Sequence, residues 1–333
     1  MSPKVSVVVR TKDRPLLLER ALRSVLGQDM TDFELVVVND RGDLDQVKRL
    51  LGQLDADADP RVKLVDNGGD PGRAGALDTG VTHATGTYFA IHDDDDSWHP
   101  SFLAKTCEHL DAHPDDAAVA THTDVVHEVI DGATITELAR DPLARDTDVA
   151  SFVETLWANY IPPIAMVLRR SVFDSIGRFD PDLPVLEDWE FNLRLMSRHT
   201  VGFVGGESLA YWHQRESSIG ADGNSVVVDA RDHEMFNLLI RDDYLRKSLV
   251  DGSGLGPLAA AAMMIRRVDL HVERVDRRVE HVGQRIEETT VAQREQLSEL
   301  SQVMSLEIGR LRGEVLALRE LLVESTKGSG STA

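Results

Sequence analysis

A chain of 333 residues, 42% of them hydrophobic, can bury the core of one large domain or two smaller ones. Its formal net charge of -21 argues against a nucleic-acid partner, because no basic stripe offsets the repulsion of phosphates. The same charge requires that an anionic substrate be recruited locally, by a cation and a few arginines. Cys107 is the only cysteine, so an intrachain disulfide is excluded, and its place in a helical pattern predicts a buried, inert thiol.

The first third alternates strand and helix patterns. Val5 to Val9 reads as a buried strand, and Pro15 to Gln28 as an amphipathic helix with proline in its first turn. Strands at Phe33 to Val38 and Val62 to Val65 flank a helix from Leu44 to Leu54. A helix from Arg73 to His83 follows, then the apolar run Tyr88-Phe89-Ala90-Ile91. That run delivers four consecutive aspartates, Asp93 to Asp96, to a strand end. So many like charges repel strongly unless a cation sits among them, and hard oxygen donors suit Mg²⁺ or Mn²⁺ bridging to substrate phosphates. The alternation predicts an α/β fold, a Rossmann-like, mostly parallel sheet with flanking helices. Ligands in such sheets sit beyond the carboxyl ends of strands, where both Asn39-Asp40 and the aspartate run lie.

The middle third is mixed. Ala117 to Val126 is strand-like, and Asp131-Gly132 marks a hairpin turn. Val153 to Tyr160 reads as a helix and Ile164 to Leu168 as a strand. Leu186 to Phe191 opens an amphipathic helix running to about Arg198, with Asp188 at its start. A carboxylate there is favoured by free N–H groups, so capping and catalysis are both open to it.

The last third changes character after Gly252, Gly254, Gly256 and Pro257, which read as a linker. Val268, Val272, Val275, Val279, Val282 and Ile286 follow a heptad seam, and Met304, Ile308, Leu311, Val315, Leu318 and Leu322 form a second. The frames differ across the polar stretch Glu287 to Arg294, as at a stutter. A continuous helix from Val268 to Leu322 would extend roughly 80 Å. This predicts a long C-terminal coiled coil and a homo-oligomer. Valine at both core positions disfavours a dimer in the first seam, whereas the Ile308/Leu311 and Val315/Leu318 alternation favours one in the second. The expected division is a catalytic domain over 1–251, a helical coiled coil over 252–325 and a disordered tail over 326–333. No apolar stretch approaches the roughly 20 residues that span a bilayer, and no signal-peptide pattern precedes Val5. A cytoplasmic protein is expected, with peripheral contact at the inner face of a membrane left open.

Several segments together resemble the family-2 glycosyltransferases of the GT-A fold, over Pro3 to about Ser218. They are the opening Val5 to Pro15, Phe33 to Asp40, Thr85 to Ala90 leading into the aspartates, Glu187-Asp188-Trp189-Glu190, and Tyr211 to Ser218. The resemblance implies a metal-dependent inverting transfer from a nucleoside-diphosphate sugar to a hydroxyl of a glycan or lipid-linked saccharide. Asp40 would contact the base, with Thr11 or Arg10 lining that pocket. Asp94 would face the ribose or the metal, and Asp95 would be the main ligand for Mn²⁺ or Mg²⁺. Asp188 would be the catalytic base. His213 would complete the metal site or touch the diphosphate, unless it is only a packed histidine. Arg73 and Arg215 would contact the diphosphate, although Arg73 also suits a solvent-facing loop.

The chain departs from the family pattern, which often has proline at Arg10, tyrosine at Lys12, aspartate at Asn39 and asparagine at Asp78. Two other functions compete. A sugar-phosphate nucleotidyltransferase would need a glycine-rich basic loop near the first strand, and Arg10 to Arg14 has no glycine. A coiled-coil scaffold with a degenerate, nucleotide-sugar-binding domain would not need the full acidic set. Trp98 and Trp189 are expected in the core rather than against a sugar ring.

Overall fold

The computed structural model describes residues 2–143, 148–215, 230–252 and 255–328. The chain divides into two compact units, Met1–Met264 and Ile265–Ala333. The first opens with β1 (Val5–Thr11), α1 (Pro15–Leu26), β2 (Phe33–Asn39), α2 (Leu44–Gln53), β3 (Val62–Asp66), α3 (Arg73–His83) and β4 (Tyr88–Asp93). Strand β1 pairs in parallel with β2 and β4, and β2 with β3. Every residue of β1 and β2 is buried, which is why both read as continuous apolar runs rather than alternating ones. Helix α1 starts at Pro15 and buries Leu17, Leu18, Ala21, Leu22 and Val25 on one face. Asp43 caps α2 by accepting from the N–H groups of Asp45 and Gln46. Helix α3 approaches the sheet so closely that a Cβ at Gly80 would lie 2.3 Å from Val8 Cγ1, so only glycine seats it there.

Beyond the aspartates come β5 (Ser97–Trp98), α4 (Phe102–Ala112), β6 (Asp116–Thr121), β7 (Thr123–Asp131), β8 (Thr134–Leu143) and α5 (Phe152–Trp157). A 3₁₀ turn (Pro163–Ala165), β9 (Met166–Arg169), α6 (Val172–Ile176), α7 (Glu187–Met196), β10 (Thr200–Val204) and β11 (Ala210–Gln214) follow. The main sheet has seven strands in the order β10-β6-β9-β4-β1-β2-β3, and β9 runs antiparallel to both its neighbours. A second sheet has the order β5-β11-β7-β8.

The single strand expected over 117–126 is two. Strand β6 stays in the main sheet, while β7 crosses into the second and forms the hairpin with β8 at Asp131↔Thr134. Burial continues through the break at His122, so the apolar pattern carries no mark of the change of sheet. The helix expected over 153–160 ends at Trp157, and Ile164 lies in the 3₁₀ turn rather than in β9. Trp98 stacks on Phe102 with ring centroids 4.2 Å apart, and Trp189 is fully buried, so both are core residues. Cys107 is buried too, and burial pushes its thiol up to about 12.

Helix α8 (Ala230–Asp251) had no counterpart in the sequence reading. Its Phe236, Ile240 and Tyr244, spaced by four, pack with Leu156, Trp189 and Leu193 in a small second core. Helix α9 (Leu255–Gly328) follows. The expected linker is therefore shorter than 252–257, since Gly256 and Pro257 belong to the first turn of α9, where proline costs no hydrogen bond.

The second unit, taken by itself, is helical as far as Gly328. Residues 326–328 of the expected tail thus continue the helix, and 329–333 lie outside the described residues. Val268, Val272, Val275 and Val279 of the first seam are exposed, as are Met304, Ile308, Leu311 and Val315 of the second. Among the described residues, no helix is long and apolar enough to cross a membrane.

Candidate active site

Parallel pairing brings the carboxyl ends of β1, β2 and β4 to one edge, where Thr11, Asp40 and Asp93 to Asp96 line a cleft of about 480 Å³. Arg10, Arg14, Arg73 and Trp212 share its wall. A larger, open depression of about 590 Å³ lies at the amino end of β1, around the Lys4–Asp111 ion pair. It gathers no comparable set of polar groups.

Each carboxylate has a defined partner. Asp93 accepts from Arg10 Nε at 2.9 Å, and Arg10 Nη1 donates to Glu187 at 3.0 Å. Burial works to lower the pKa of this guanidinium, but Asp93 and Glu187 outweigh it and raise the pKa above its ordinary value. Burial also works to raise Asp93, yet the Arg10 charge prevails and holds it below the usual carboxylate range. Asp94 accepts from the Thr11 hydroxyl at 2.7 Å and from Arg14 at 3.3 Å. Burial and then the neighbouring Asp95 charge push Asp94 up to about 7. Asp96 accepts from the His213 N–H at 3.0 Å, and burial followed by Asp95 drives it well above the usual range. The run is thus short of positive charge, although arginines surround it.

Asp95 faces Arg215 Nη2 at 2.5 Å, with Arg14 at 3.5 Å, and its backbone oxygen accepts from Arg20. Arg215 and Arg20 also grip Glu128 of β7, at 2.8 and 2.6 Å. His213 Nδ1 lies 2.8 Å from the same Glu128, and its Nε2 shares a hydrogen bond with the Ser97 hydroxyl at 2.8 Å. Burial works to raise Glu128, but the hydrogen bonds from His213 and Arg20 hold it at about 2. Burial lowers the His213 imidazole despite that carboxylate. Ligation of a metal by His213 Nε2 would therefore displace Ser97.

Asp40 accepts from Asn67 Nδ2 at 2.8 Å and from the Gly72 N–H at 2.9 Å, which fixes it at the cleft wall. Arg73 donates to the Pro184 carbonyl at 3.0 Å and lies 3.6 Å from Glu187. Asp188, the second residue of α7, accepts from Asn159 Nδ2 at 2.7 Å. Burial and then the Glu187 charge raise its pKa. It lines a narrow apolar pocket with Ile161, Met166 and Phe191, while Arg10 joins its neighbour Glu187 to the acidic cleft.

All nine residues singled out in the sequence thus gather around one edge of the sheet and the start of α7. Sequence reading missed Glu128, Arg14, Arg20 and Asn159. Glu128 alone left a signal, a carboxylate sharing the buried face of a strand with Asp124 and Val126. Of the departures from the family pattern, Asp78 pairs with Arg178 at 2.8 Å, and Arg10 is taken up by two carboxylates.

Comparison with known proteins agrees with this geometry. The chain is 31% identical over 182 residues to an uncharacterized glycosyltransferase of Nostoc sp., a match covering 54% of each protein. The chain thus spans about half the length of that relative. It is 28% identical over 259 residues to the succinoglycan biosynthesis protein ExoO of Rhizobium meliloti, covering 75% of this chain and 70% of the relative. A mannosyltransferase of Pyrobaculum calidifontis, solved with GDP-Man and Mn²⁺, superposes with a TM-score of 0.52 at 21% identity, over 79% of this chain and 74% of that one. The family model for glycosyl transferase family 2 matches residues 6–177, a segment that runs from β1 through the acidic strand end to the end of α6. With that match over more than half its length and a GT-A-type sheet beneath the cleft, the chain belongs to glycosyl transferase family 2.

Proposed function

We propose that the chain transfers a sugar from a nucleoside-diphosphate sugar to a hydroxyl of a glycan or lipid-linked saccharide, with inversion at the anomeric carbon. The observation that carries this is the juxtaposition of an under-neutralised acidic cleft with a separate buried carboxylate on α7. A divalent cation fits the cleft. Asp94 and Asp96 are both held above the carboxylate range by burial and then by the neighbouring Asp95 charge, and their hard oxygens match Mn²⁺ or Mg²⁺. Asp95 would be its main ligand, with Asp94 beside it and His213 available if Ser97 gives way. When bound, the cation supplies Lewis-acid stabilisation to the departing diphosphate. The Mn²⁺ complex of the Pyrobaculum mannosyltransferase supports this choice of ion.

The chain's own residues do the rest. Asp40 and Thr11 position the nucleoside, and Arg73 and Arg215 hold the diphosphate, adding charge-assisted hydrogen bonds where negative charge grows. Asp188 removes the proton of the acceptor hydroxyl as that oxygen attacks from the face opposite the leaving group. Its raised pKa brings it nearer the operating pH, which suits a general base. Asn159 fixes the carboxylate's orientation.

A thermal-shift screen of nucleotide sugars with and without Mn²⁺ tests the reading. A donor that raises the melting midpoint only with Mn²⁺ present is expected, because a ligand of the native state stabilises it by mass action. A full panel that gives no metal-dependent shift counts against it.

The second unit serves as a coiled-coil oligomerisation element. The described residues of both heptad seams are exposed, and Val268 is 64% accessible. Packing against copies of the same helix covers them. Sedimentation of the full chain should give an oligomer, and a monomer at micromolar concentration contradicts this role.

A further inference from the structure

A second group of ligand-bearing side chains lies far from the cleft. His109 and His113 stand one turn apart at the end of α4, with rings stacked at 4.2 Å and inclined by 21°. Asp116 opens β6, and its Oδ2 lies 2.8 Å from His109 Nε2. One donor atom from each of the three lies within 4.8 Å of the others. The strand registers set this group beside the amino end of β4, because Arg169 pairs with Tyr88 and its Nε donates to the Asp116 carbonyl at 2.8 Å. Asp93 lies at the other end of β4, roughly 17 Å away by the strand rise. Nothing in the sugar-transfer reading uses these residues.

The geometry points to a Zn²⁺ site at His109, His113 and Asp116, a structural clip between the end of α4 and the start of β6. The donor set is two imidazoles and one carboxylate, a borderline nitrogen and oxygen set that suits zinc with water in the fourth position. It differs in kind from the all-carboxylate cleft. The tautomer is preset at His113, whose Nδ1 bonds the His109 carbonyl at 2.9 Å and leaves Nε2 as the donor to a metal. A backbone carbonyl behind a ligating imidazole is the usual outer partner at zinc sites. Two i, i+4 histidines on one helical face give the spacing at which two imidazoles reach one ion.

The electrostatics agree. The carboxyl end of a helix attracts cations. The nearby cation, Arg169, is directed at the carbonyls of Asp116, Leu110 and His113 rather than at the three donors. The third wall is also shaped for the group. A Cβ at Gly202 of β10 would lie 2.1 Å from His109 Nε2 and 2.4 Å from Asp116 Oδ2, so glycine leaves the space in which these atoms meet. Closing three donors around one ion draws the helix end and the strand start together, with water completing the shell.

The test uses the full chain, stripped of metal and then held in excess Mg²⁺ so that the acidic cleft is filled. Titration with Co²⁺ should give one equivalent with the visible absorption of a four-coordinate ion, and Zn²⁺ at micromolar concentration should abolish that absorption. His113→Gln, at an exposed position, and Asp116→Asn, which keeps the side-chain shape, are each expected to weaken Zn²⁺ binding by at least about tenfold. Both variants should keep the wild-type thermal response to a donor with Mn²⁺. The proposal is overturned if wild type shows no Zn²⁺ binding at micromolar concentration, or if both variants bind it as tightly as wild type.

Discussion

Asp188→Asn is expected to lower sugar transfer by about 10²–10⁴-fold, the range contributed by a positioned general base, while donor affinity stays close to wild type. The replacement keeps size and shape. Asn159, which donates to Asp188 Oδ2 at 2.7 Å, can still find an oxygen acceptor on the new amide. What is lost is the ability to take a proton from the acceptor hydroxyl. Such a loss lowers kcat and kcat/KM together rather than raising KM alone.

The pH profile supplies a second signature. Burial, and after it the charge of Glu187, raises the Asp188 pKa, and a base works only when deprotonated. The rate should therefore fall as pH drops through a value above the ordinary aspartate pKa of about 3.9. That acidic limb should be absent from the residual activity of Asp188→Asn. Retained turnover in the variant, or an unchanged acidic limb, removes Asp188 from the role of base.

Asp95→Asn should reduce transfer on the order of 10³-fold, because a metal acting as Lewis acid contributes several kcal/mol at the transition state. Its distinguishing readout is affinity for Mn²⁺ in the presence of a nucleoside diphosphate, measured by calorimetry, which should weaken in parallel. The fold should survive. Arg215 loses one carboxylate partner but keeps Glu128 at 2.8 Å, and no buried charge is left unpaired. Wild-type metal affinity in Asp95→Asn places the ion elsewhere among the aspartates.

The fold was legible where an apolar run or face ends together with its element. Helix α3 occupies the span its pattern marks, and the strand ends that carry Asp40 and Asp93 lie where the apolar runs stop. It was less legible where burial is unbroken. Residues 117–126 pass from one sheet to another without a change in hydropathy, because each half is covered by a different layer. Helix α8 was missed because its apolar residues are spread around it: Phe236, Ile240 and Tyr244 face a small core, while Met235, Leu238, Leu239, Leu249 and Val250 are exposed.

The site divides in the same way. Its acidic members are conspicuous because four adjacent carboxylates need an explanation. Their partners are not, since no local pattern distinguishes Arg20 or Arg215 from an arginine on the surface. Only the topology shows that both meet at Glu128.

The spacing of those partners along the chain bears on how the protein matures. Arg10 waits 177 positions for Glu187, and Asp95 waits 120 for Arg215. A nascent polypeptide that stops where α6 ends holds β1 to β9, yet lacks β10, β11, Glu187, His213 and Arg215. In such a fragment Arg10 would keep Asp93 and Glu128 would keep Arg20, but each would lack a second buried counter-charge. The acidic cleft is therefore completed by late, long-range contacts.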